Sequence, residues 1–195
     1  MSMIPEKPPF KLLDILYKKE FILFVVLVSI LIINSNISPY FLDLYNLIDS
    51  TFLFSEKAII ALTMTFVIIA RQIDLSVASI IAVSSCVLGY TTSLGYDTWL
   101  VISLTLLSGA LCGAFNGAII TKFAIPSIIV TIGTMSLFRG LAYSFLEDSY
   151  YNKFPKLVSN LGGGYLFGYI PYAFLTFIFL AIIFAFILHK TSVGK

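Results

Sequence analysis

The chain has 195 residues, 59% of them hydrophobic and only 11% charged, with a mean hydropathy of +1.00. A soluble domain carries about 25% charged residues, so this composition excludes an ordinary soluble protein and specifies a polytopic membrane protein. The formal net charge of +2 is too small to imply a nucleic-acid partner. Cys86 and Cys112 lie inside apolar runs and read as small buried hydrophobes, and the lone His189 cannot build a metal site.

A span needs about 20 apolar residues, and the first candidate covers Tyr17 to Ser35. The stretch after it, N-S-N-I-S-P-Y-F, lacks a small-x-small cleavage pattern, so the run reads as a retained span. Residues 36–56 read as a loop with Pro39 and a partly amphipathic stretch. A short second span runs from Glu56 to Ala70, a third from Asp74 to Leu94, and a fourth from Trp99 to Thr121. The fifth begins at Pro126 and fades near Leu146. Residues 147–169 form a polar loop with Tyr150, Tyr151 and Gly162 to Gly164, and the sixth span covers Ile170 to Leu188. The segments have helical length and lack the alternation of a β-barrel.

The fold class is therefore all-α, a membrane helix bundle of about six spans. It reads as a single domain over 1–195, with a tail at 1–16, a bundle at 17–188 and an end at 189–195. Positive charge orients it. A cytoplasmic N-terminus puts Lys7, Lys11, Lys18, Lys19, Arg71, Lys122, Lys190 and Lys195 inside. It leaves Lys57, Arg139, Lys153 and Lys156 toward the outside, and the 34–56 segment has neither Lys nor Arg. Both termini are then cytoplasmic.

Polar groups inside membrane-grade sequence are expensive and persist where they face a cavity, a partner or a substrate path. The first such motif is R-Q-I-D-L-S, Arg71 to Ser76. Its bland reading is a tight turn in which Asp74 or Ser76 caps the third span and Arg71 neutralises Asp74. Its sharper reading is an interrupted helix end facing a permeation path. Gly109, Gly113 and Gly117 recur every four residues and form a smooth stripe for helix packing, with Asn116 beside it. Ser127, Thr131 and Thr134 share one face of the fifth span. Such hydroxyls either bond back to the preceding turn or border a hydrated path. Arg139 reads as a snorkelling side chain near the outer end of that span.

The chain carries no phosphate loop, no H-E-x-x-H, no G-x-S-x-G and no paired-carboxylate set. An intramembrane acid relay is also missing, since Asp74 is the only acid between Lys57 and Asp97. The chain thus displays no energy source and no catalytic site of its own. A partner has to drive any active transport, and an ion-coupled carrier is the rival reading.

Met64 to Ser79, Gly109 to Ile120 and Ile125 to Tyr143 resemble, in order and at natural spacing, three blocks of the permeases of bacterial monosaccharide ABC importers. These are the ribose, rhamnose and autoinducer-2 type. Ser55 to Thr65 and I-D-L-S-V-A-S are most similar to rhamnose-type permeases. Where that family often has two glycines before I-D-L-S, this chain has Arg71 and Gln72.

The resemblance implies a non-enzymatic transport subunit of the bacterial inner membrane, importing a rhamnose-like sugar, ribose or autoinducer-2. Its implied partners are a second permease subunit, ATPase subunits that bind the ATP and Mg, and a periplasmic or lipid-anchored sugar-binding protein. The chain itself is implied to bind no cofactor. Asn116, Ser127, Thr131 and Thr134 are the candidate substrate-path residues. Arg71, Asp74 and Ser76 are candidates for a structural turn, and Gly109, Gly113 and Gly117 for packing. Thr191 to Lys195 resembles the start of a segment that continues in the family, so the chain reads as the N-terminal part of a pseudo-repeat permease. An inactive remnant of such a permease is the alternative.

Overall fold

A computed structural model of the chain describes residues 19–146 and 150–190. The expected tail at 1–16 and the last residues of the expected end, 191–195, lie outside the described residues. The elements in order are α1 (Lys19–Ile37), α2 (Leu44–Ile69), α3 (Val77–Ser93), α4 (Thr98–Phe123) and α5 (Ser127–Leu146). A short α6 (Lys156–Gly163), a two-strand hairpin of β1 (Tyr165–Leu166) and β2 (Ile170–Pro171), and α7 (Tyr172–Lys190) complete them. The bundle is all-α, as the composition requires, because a backbone in lipid has to satisfy its hydrogen bonds within its own segment.

Five of these helices, α1, α2, α4, α5 and α7, are long and apolar enough to cross a membrane. The expected third span, α3, has 17 residues and rises about 25 Å, slightly short of the hydrocarbon core. Burial is inverted relative to a soluble protein. Leu23, Phe24, Leu106 and Ile182 are exposed, whereas Ser76, Ser79, Asn116, Thr131 and Thr134 are buried. Lipid solvates the apolar surface, so the interior is shared between small and polar side chains that pack and hydrogen-bond and a few apolar ones, Val101, Val130 and Phe138 among them.

The chain divides into two compact units, residues 1–50 and 51–195, with the boundary inside α2. In the first, α1 has no buried residue. Its polar side chains bond back within the helix, as with Asn34 Nδ2 donating to the Ile30 carbonyl at 2.8 Å. In the second unit, α3, α4 and α5 pack together. Aromatic rings link α2 to α7, Phe66 lying 4.9 Å from Phe184 and Phe54 lying 6.4 Å from Phe177.

Three boundaries differ from the sequence expectation. The second span begins at Leu44, not Glu56, and has 26 residues. No glycine or proline interrupts the sequence between Asp43 and Arg71, so nothing stops the helix from extending through the stretch read as loop. The third span begins at Val77, not Asp74, because Asp74 is engaged in a local turn. Within the loop expected at 147–169, residues 156–163 are helical and 165–171 form the hairpin. There Phe167 and Gly168 both have positive φ, 53° and 79°, and the Tyr169 N–H donates to the Leu166 carbonyl at 3.2 Å. This is a type I′ turn.

Candidate functional site

The break between α2 and α3 organises the polar interior. It starts with a Schellman motif at the end of α2. The Arg71 N–H donates to the Ile68 carbonyl at 2.9 Å and the Gln72 N–H to the Val67 carbonyl at 3.0 Å. That geometry requires a left-handed residue at position 71, and Arg71 has φ 56°. The end of α3 is built the same way, with Gly95 at φ 75° donating to the Thr92 carbonyl at 3.0 Å. A left-handed residue favours glycine, and arginine holds this position at the cost of a strained φ.

Residues 72–76 belong to no helix or strand, and Ile73 directs both of its backbone polar groups at α5. Its N–H donates to Ser127 Oγ at 3.0 Å, and its carbonyl accepts from Thr131 Oγ1 at 3.3 Å. Ser127 and Thr131 are one helical turn apart on a single face, so the spacing of the two hydroxyls matches the spacing of the two backbone groups.

Asp74 closes the next step. Its Oδ1 accepts from the Ser76 N–H at 2.8 Å and from Ser76 Oγ at 2.6 Å. Asn116 Nδ2 on α4 donates to the same Ser76 Oγ at 2.8 Å. Ser76 then starts α3, its carbonyl accepting from Ser79 at 2.8 Å and from Ile80 at 2.9 Å. The expected capping role thus falls to the Ser76 backbone, while the Asp74 carboxylate sets the turn. Asp74 Oδ1 is directed at Ser76 and not at Arg71, whose side chain is exposed.

Asn116, Ser127 and Thr131 therefore converge on the break from sequence distances of 40, 54 and 58 residues. Thr134 lies in the same interior, but its one bond among the described residues is a long one to the Thr131 carbonyl, 3.4 Å. Hydroxyls elsewhere follow the bland pattern. Thr65, Ser103 and Thr121 each bond back to the carbonyl four residues earlier at 2.7–2.9 Å. Two buried atoms at the junction, Ser79 Oγ and Asn116 Oδ1, have no partner among the described residues.

The glycine stripe divides. A Cβ on Gly109 would meet Ser84 Oγ of α3 at 3.2 Å, but a Cβ on Gly113 or Gly117 would meet nothing within 4 Å. Of the three, only Gly109 marks a close helix approach among the described residues. Cys86 is buried against the Ala142 carbonyl, with Sγ 3.7 Å away, and Cys112 is free. No metal-ligand cluster occurs among the described residues.

One polar residue escaped the sequence reading. Lys57, placed there at the outer end of a short span, lies near the middle of α2. It lines a cavity of about 400 Å³ with Phe54, Ala61, Thr65 and Phe177. The uninterrupted run from Leu44 was the signal that would have moved it inward.

Residues 46–195 match the family described as the branched-chain amino acid transport system / permease component. The chain belongs to this permease family. With five helices among the described residues long and apolar enough to cross a membrane, it is a multi-pass protein of the bacterial inner membrane. It is 32% identical over 179 residues to the ribose import permease protein RbsC of Haemophilus influenzae, covering 88% of this chain and 54% of that protein. The autoinducer 2 import system permease protein LsrD of Klebsiella pneumoniae is 39% identical over 121 residues, 62% of this chain and 36% of that protein. LsrC of Escherichia coli O9:H4, from the same kind of system, is 34% identical over 137 residues, 70% of this chain and 40% of that protein. The chain thus aligns with about a third to a half of each relative's length. The names of these relatives carry ribose and autoinducer 2, and none carries rhamnose. No solved structure matches.

Proposed function

We propose that the chain forms part of the membrane path of an ATP-driven importer for a monosaccharide or a similarly small polyhydroxylated solute. Ribose and autoinducer-2 enter this reading through the relatives, and a rhamnose-like sugar through the Ser55–Thr65 block. The observation that carries it is the junction. The three sequence blocks that bear the family resemblance meet at Ile73–Ser76 through Asn116, Ser127 and Thr131.

In this reading ATP and Mg belong to separate ATPase subunits. A second permease subunit and a periplasmic or lipid-anchored sugar-binding protein complete the complex. Asn116, Ser127 and Thr131 act as positioning residues. They hold a non-helical segment inside the bundle, where lipid offers its backbone no hydrogen bonds. Thr134, whose hydroxyl is the least committed of the four, is the one available to a passing solute.

Co-purification of the tagged chain from native membranes tests the reading, together with uptake of labelled ribose and rhamnose in cells lacking the gene. A stoichiometric ATPase subunit and restored uptake are expected. Stable insertion with neither would overturn it.

A further inference from the structure

A polar recess lies between the C-terminal end of α3 and the segment 150–153, away from the junction, with a volume of about 460 Å³. That is within the range of small-molecule sites, roughly 300–1,000 Å³. The charge distribution that puts the N-terminus inside puts this recess at the outer face.

Its floor is a specific fit. A Cβ on Gly89 would lie 2.6 Å from Tyr151 Cβ, Cγ and Cδ2, so the ring rests on bare helix backbone that only glycine provides. Gly89 is buried and Tyr151 half-buried, whereas Tyr150 is 80% exposed beside it. The recess thus carries two phenol rings of different accessibility. Its polar groups divide by capability. Thr92 Oγ1 and Ser93 Oγ already donate to the Leu88 and Tyr90 carbonyls, both at 2.7 Å, so they face the recess as acceptors. The Lys153 ammonium is a donor only, and the Asn152 amide supplies both.

We infer that this recess binds a small polyol, such as a monosaccharide, at the outer mouth of the protein. Adjacent hydroxyls on one carbon skeleton donate and accept in alternation, matching acceptors on α3 and donors on 152–153. The C–H face of a sugar ring matches the apolar face of a tyrosine ring. The inference deepens the importer reading and rests on it for the orientation and for the solute class.

The test is saturation-transfer difference NMR on the full chain in nanodiscs of deuterated lipid, with ribose as the probe and irradiation of the tyrosine ring protons. Transfer to ribose C–H protons is expected in the wild type. It is expected to be lost in Gly89→Val, which displaces the Tyr151 ring. Tyr150→Ala removes an exposed ring whose loss does not threaten the fold, and it should weaken the transfer markedly. Tyr40→Ala, at an exposed tyrosine in the other compact unit, should leave it intact. No transfer in the wild type, or transfer indifferent to both Gly89→Val and Tyr150→Ala, overturns the site. Transfer without a co-purifying ATPase keeps the site and removes the importer reading. An ATPase without transfer does the reverse.

Discussion

Deleting hydroxyls one at a time along α5 separates a tie to the break from a lining of the path. Ser127→Ala leaves the Ile73 N–H without its acceptor at 3.0 Å, in an environment where water is scarce. A buried donor left unsatisfied costs about 1–3 kcal/mol, and the lower half of that range fits here because the Ile73 side chain is 50% exposed. Thr131→Val removes a 3.3 Å bond to Ile73 that is shared with a 3.5 Å contact to Ile128. Its expected cost is about 0.5–1 kcal/mol. Thr134→Val removes only the 3.4 Å bond to Thr131 and should fall within about 0.5 kcal/mol of zero.

The assay is equilibrium unfolding in mixed micelles, paired with amide hydrogen exchange at Ile73. The expected order of destabilisation is Ser127→Ala, then Thr131→Val, then Thr134→Val, with faster exchange at Ile73 only in the first. Unchanged stability and unchanged exchange in Ser127→Ala, alongside reduced sugar uptake, would refute the tie and return the residue to the solute path.

Arg71→Gly should stabilise the chain by about 0.5–1 kcal/mol, the left-handed strain relieved being partly offset by the greater freedom of glycine when unfolded; a lower unfolding midpoint would contradict the Schellman assignment. Gly113→Ala, whose new Cβ meets nothing within 4 Å, should be neutral or stabilising by up to about 1 kcal/mol through helix propensity. Gly109→Ala pushes against Ser84 Oγ at 3.2 Å and should be the less stable of the two by the same unfolding measurement. Asp97 accepts from the Trp99 N–H at 2.9 Å as the N-cap of α4. Asp97→Ala should lower stability by about 1 kcal/mol, and Asp97→Asn should recover most of it.

Hydropathy alone determined that the chain lives in a membrane, that it is helical, and roughly where α1, α4, α5 and α7 lie. These follow from local rules, since a run of apolar residues in lipid has one way to satisfy its backbone. Arg71–Ser76 and Ser127, Thr131 and Asn116 stood out for the same reason, as polar groups there need a justification. What each of them bonds to was not legible. A serine in a membrane helix has two satisfactory partners, its own preceding turn or another segment, and the sequence of Ser127 is compatible with both.

The packing of α5 against the break chose the second partner for Ser127 and Thr131, while Thr65 and Ser103, on exposed helix faces, kept the first. The glycine stripe shows the same division. Its periodicity was visible in sequence, but only the seating of α4 on Ser84 made Gly109 a contact and left Gly113 and Gly117 open. The seat of Tyr151 on Gly89 had no sequence signal at all, because it joins a helix to a loop through nothing more than the absence of a methyl group.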